Sequence, residues 1–83
     1  MRNIKELLKI MLANPQLFET GLCRWVTSLY CANLITFDET NVLSEYIEAN
    51  EPDDRDITNI YYWRVRDIEP RIKWLKKHIK KLK

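Results

Sequence analysis

Eighty-three residues with a single Gly and abundant Leu, Ile, Lys and Glu make one domain, residues 1–83, and exclude the many tight turns of an all-β fold. No stretch approaches the roughly 20 apolar residues that span a bilayer, and Met1 to Ala13 alternates charged and apolar residues where a signal peptide has an unbroken apolar core. The net charge of +2 hides a separation: Asp38 to Asp56 holds eight of the twelve acidic residues against one base, Arg55, while Arg71 to Lys83 holds seven of the fourteen basic residues and no acid.

The first segment places Ile4, Leu7, Leu8, Met11 and Leu12 at the spacing of a one-sided helix. Asn3 with Glu6 three residues on predicts a capping box. Asn14-Pro15 ends the helix, because proline disfavours helical geometry at the residue before it. A second helix is expected from about Thr20-Gly21 to Asn33, with Leu22, Trp25, Val26, Leu29 and Ala32 as its apolar stripe and Phe18 folded over its start. Leu34-Ile35 then leads into a corner. Thr36 and Glu39 predict a second capping box, opening a third helix that sets Val42, Leu43, Tyr46 and Ile47 on one face and ends at Asn50-Glu51-Pro52.

Pro52 to Thr58 reads as an acidic loop, and Ile60-Tyr61-Tyr62-Trp63 as an aromatic run, either a turn of helix or an extended piece. The last helix starts near Asp67-Ile68-Glu69-Pro70. Carboxylates favour the positive end of a helix dipole, and proline in the first turn lacks only an N–H that had no partner. Ile72, Leu75, Ile79 and Leu82 share its narrow apolar face. The fold class that follows is all-α, a small bundle of about four helices.

Little in this chain can carry catalysis or hold a metal. His78 is the one histidine, Gly21 alone makes no phosphate-binding loop, and Cys23, Cys31 and His78 lack the close spacing of a zinc site. On one helix Cys23 and Cys31 stand about 12 Å apart along the axis, too far for a disulfide, and read as reduced, semi-buried cytosolic thiols. The carboxylates cluster in a polar loop, away from apolar neighbours that would raise a pKa. The expectation is a non-enzymatic binding protein with no cofactor and no metal.

Candidate contact residues gather on the last helix. At about 100° per residue, Lys73, Lys77, Lys80 and Lys81 lie opposite Ile72, Leu75 and Ile79, with Arg71, Trp74 and His78 in a stripe between the two faces. A guanidinium, an indole and an imidazole in a row suit stacking on a base and pairing with phosphate. They equally suit anchoring a protein interface. A plainer reading stands beside both: Trp74 completes the core and the lysines confer solubility. Tyr62 and Trp63 join the candidates as an aromatic pair. Clustered cations attract any polyanion, so nucleic acid is one candidate partner, unless the acidic segment folds back and cancels them.

Gly21-Leu22-Cys23-Arg24-Trp25, then Tyr46-Ile47 with Asn50 and Pro52, then Tyr62-Trp63, and finally Pro70 through Ile79 form an ordered pattern. It resembles a family of small accessory proteins recurrent in bacteriophage genomes, over roughly residues 20–82, and departs from it at Arg64-Val65-Arg66, where relatives tend to carry Pro or Gly. The resemblance implies a phage or prophage gene expressed in a bacterial cytoplasm. That setting in turn suggests an anti-CRISPR-like inhibitor that binds a host effector nuclease, a defence ribonucleoprotein or its guide RNA. Alternatives are a sponge for a nucleotide immune signal, with Arg71, Trp74, His78, Tyr62 and Trp63 as its pocket, a small nucleic-acid-binding regulator, and a structural virion component.

Overall fold

The computed structural model describes residues 1–19, 21–50 and 68–82. Among these lie four α-helices, α1 (Ile4–Ala13), α2 (Leu22–Cys31), α3 (Phe37–Asn50) and α4 (Ile68–Lys81), with one 3₁₀ turn at Pro15–Leu17. The all-α bundle expected from composition is what forms. The acidic loop and the aromatic run with Tyr62 and Trp63 lie outside the described residues.

α1 is the central element. It packs against α4, α3 and α2, while α2 also pairs with α3. Its Leu7, Leu8 and Met11 meet Leu22, Trp25, Val26 and Leu29 of α2, Leu43 and Ile47 of α3, and Leu75 of α4 in one core, all of them fully buried. Both capping boxes form: Asn3 Oδ1 accepts from the Glu6 N–H at 2.9 Å, and Thr36 Oγ1 accepts from the Glu39 N–H at 3.2 Å. In return the Glu6 and Glu39 carboxylates accept from the backbone N–H groups of Asn3 and Thr36.

The corner between α1 and α2 is built on Asn14 and Trp25. Asn14 Nδ2 donates to the Ile10 carbonyl at 2.7 Å, satisfying an acceptor that the helix end leaves open. The Asn14 carbonyl accepts from the Trp25 indole N–H at 3.0 Å, so the largest core side chain keeps its polar atom paired. Phe18 meets the Trp25 ring edge-on, 5.3 Å between centroids, and covers the start of α2 as its position in sequence suggested.

α2 ends sooner than expected. Ala32 is the C-cap and exposed, not part of the apolar stripe, and Asn33 adopts a left-handed φ of 62°. The Leu34 N–H then donates to the Leu29 carbonyl at 3.0 Å and the Asn33 N–H to the Tyr30 carbonyl at 2.9 Å, the paired bonds of a Schellman ending. Cys23 and Cys31 also differ from expectation, since both are exposed instead of semi-buried; they lie on the side of α2 away from the core.

Arg2 ties the N-terminal segment to the corner before α3. Its Nε and Nη2 donate to the two oxygens of Glu39, each at 2.9 Å, and Nη2 donates again to the Leu34 carbonyl. With the Thr36 and Arg2 backbone N–H groups also donating, the buried Glu39 carboxylate has four donors on its two oxygens. These bonds hold its pKa down to about 2, led by the Arg2 side chain.

Candidate binding face of helix α4

α4 presents two chemically distinct faces. The outward one carries Lys73, Lys76, Lys77, Lys80 and Lys81, all exposed. Among the described residues none of these lysines forms an ion pair; the two pairs present are Arg2–Glu39 and Arg24–Glu19. The described carboxylates of α3 that point outward, Asp38, Glu45 and Glu48, therefore do not neutralise it. Lys76 belongs to this face as fully as the four lysines singled out by helical projection.

The inward face is rotated from the one that apolar periodicity indicates. Pro70, Arg71, Trp74, Leu75 and His78 are buried, whereas Ile72, Ile79 and Leu82 are only half-buried. Arg71, Trp74 and His78 retain 2%, 7% and 6% of their surface, which removes them as an exposed stripe for a base or a partner to contact. The physical reason is that each finds a partner within the fold. Trp74 and His78 stack on one another, 4.1 Å between centroids and 26° apart in plane. The Trp74 indole N–H donates to the Asn50 carbonyl at 3.2 Å. The Arg71 guanidinium lies over the Phe18 ring, 5.8 Å from its centroid.

Tyr46 completes this cluster from α3. Its ring meets Trp74 and His78 edge-on, and its hydroxyl oxygen lies 2.7 Å from His78 Nδ1. Asn50 Nδ2 donates to the Tyr46 carbonyl at 2.8 Å, holding the end of α3 where the indole can reach it. Burial lowers the His78 pKa, helped by Lys81 and Lys77, and burial raises that of Tyr46. Both shifts favour the neutral pair, in which the phenol donates and Nδ1 accepts. Sequence reasoning placed Tyr46 on the apolar face of the third helix and Asn50 at its end, and set both in the phage-like pattern without giving either a site role. Their spacing of four residues is a local signal that the two can meet.

Among the described residues no group of three or more His, Cys, Asp or Glu side chains is placed to hold a metal. No helix among them is long and apolar enough to cross a membrane. No protein-family model, curated protein or solved structure matches the chain.

Proposed function

We propose that the protein acts by stoichiometric binding and not by catalysis, docking the lysine face of α4 onto a polyanionic partner. The observation that carries this is the set of five exposed lysines, without an ion pair among the described residues, on one side of a helix whose other side is committed to the core. Such a face is a fixed positive surface on a rigid element, which raises the encounter rate with an anionic partner and makes it sensitive to salt.

The setting comes from the phage-like sequence pattern. In that setting the partner is a host defence ribonucleoprotein, and the protein is an anti-CRISPR-like inhibitor contacting the effector nuclease or its guide RNA in the bacterial cytoplasm. The nucleotide-sponge alternative is the weaker one, because three of the residues it needs in an open pocket, Arg71, Trp74 and His78, are buried.

Co-purification from a bacterium that carries such an effector tests the proposal. The wild-type chain is expected to retain the complex, and Lys73→Gln/Lys77→Gln/Lys80→Gln to lose it. Unchanged phage sensitivity of that host when the protein is expressed contradicts the counter-defence role.

A further inference from the structure

The lysine face rests on the binding reading above, and its details narrow the ligand. We infer that it takes the phosphate backbone of a double-helical nucleic acid without reading the sequence. Every outward cation of the face is a lysine, a compact point charge without the flat fork by which arginine pairs bidentately with guanine. The one arginine of α4, Arg71, is buried over Phe18. The face thus carries positioning contacts and no groups suited to base readout.

On the described residues, single strands are a poorer fit. Their binding sites add aromatic side chains on which bases stack, and here the rings of α4, Trp74 and His78, stack on each other inside the fold. The exposed aromatic rings among the described residues, Tyr30 and Phe37, sit at the corner between α2 and α3, packed edge-on against one another. A bilayer is a poorer fit as well. A surface helix that binds lipid buries its apolar side among the acyl chains, and the apolar side of α4 is already covered by α1 and by Tyr46.

The dimensions suit a duplex. From Lys73 to Lys81 the face is about 12 Å long, a length over which a duplex carries about seven phosphate charges counted on both strands. Engaging four or five phosphates gives log affinity against log salt a slope of about −3.6 to −4.5. Raising salt from about 50 to about 200 mM then weakens binding about 150- to 500-fold.

Fluorescence anisotropy with RNA duplexes of about 20 base pairs in two unrelated sequences, and with each strand alone, tests this. The two duplexes are expected to bind alike, with the slope above, and the single strands about tenfold more weakly. Lys73→Gln/Lys77→Gln/Lys80→Gln is expected to flatten the slope by about 2.7. A control removing three charges elsewhere, Lys5→Gln/Lys9→Gln/Arg24→Gln, is expected to leave it unchanged. Equal or tighter binding of single strands, a strong preference between the duplexes, or preferential binding to anionic phospholipid vesicles overturns the inference. If the lysine variant loses a co-purified protein that resists nuclease while the wild type binds no duplex, the duplex assignment fails and the proposed function stands. If the lysine variant keeps its partner, both fail.

Discussion

Three residues show how single side chains fix this structure. Asn33 holds a left-handed backbone that costs a residue with a Cβ more than glycine. Asn33→Gly is expected to raise stability by about 0.5–1 kcal/mol in urea melts, and Asn33→Val to lower it. Glu39 carries a pKa of about 2 in the fold, against an ordinary value of 4.5. Its contribution is therefore complete above about pH 4.5 and is lost as pH falls toward 2. Acid titration followed by circular dichroism should show that loss, and Glu39→Gln should remove most of the pH dependence in this range.

His78 works in the same sense at milder pH. Its folded pKa lies below the ordinary 6.5, so its contribution is present above 6.5 and declines as pH falls through the folded value. As the one histidine of the chain, its ring protons can be followed by NMR without assignment ambiguity. A midpoint below 6.5 is expected, rising in Tyr46→Phe, which also loses about 1 kcal/mol because Nδ1 no longer has its donor.

At the scale of elements, the helix boundaries were legible because their signals are local. The capping boxes at Asn3–Glu6 and Thr36–Glu39, the stop at Asn14-Pro15 and the start near Glu69-Pro70 each lie within one turn of chain. The buried face of α4 was not legible. Periodicity sorts residues by type, and Arg71 and His78 are polar by type; what buries them is Phe18 before α2 and Tyr46 on α3. Likewise Ala32 looked like stripe because it is apolar, whereas it caps the helix and Asn33, the expected end of the segment, turns the chain in the left-handed conformation that Asn tolerates.

The rotated face has a measurable consequence. Leu75 is fully buried and Ile79 only partly so, although periodicity treats them as equivalent. Leu75→Ala is expected to cost about 2–5 kcal/mol and Ile79→Ala clearly less. Equal losses would return α4 to the orientation that its apolar spacing suggests. At the opposite corner, Trp25→Ala is expected to cost about 3–5 kcal/mol and to leave the Asn14 carbonyl without its indole donor.

Across the whole molecule, charge is segregated by element. α3 has no basic residue and turns Asp38, Glu45 and Glu48 outward, while α4 turns five lysines outward. The described parts of these faces do not pair with one another.

Lysine acetylation footprinting, read by peptide mass spectrometry on the isolated protein and on its nucleic-acid or effector complex, tests this most directly. Lys73, Lys76, Lys77, Lys80 and Lys81 should all react readily in the isolated protein and become protected together in the complex, while Lys9 on α1 stays reactive in both. Continued reactivity of the α4 lysines in the complex, with protection appearing elsewhere, would contradict the proposed contact face.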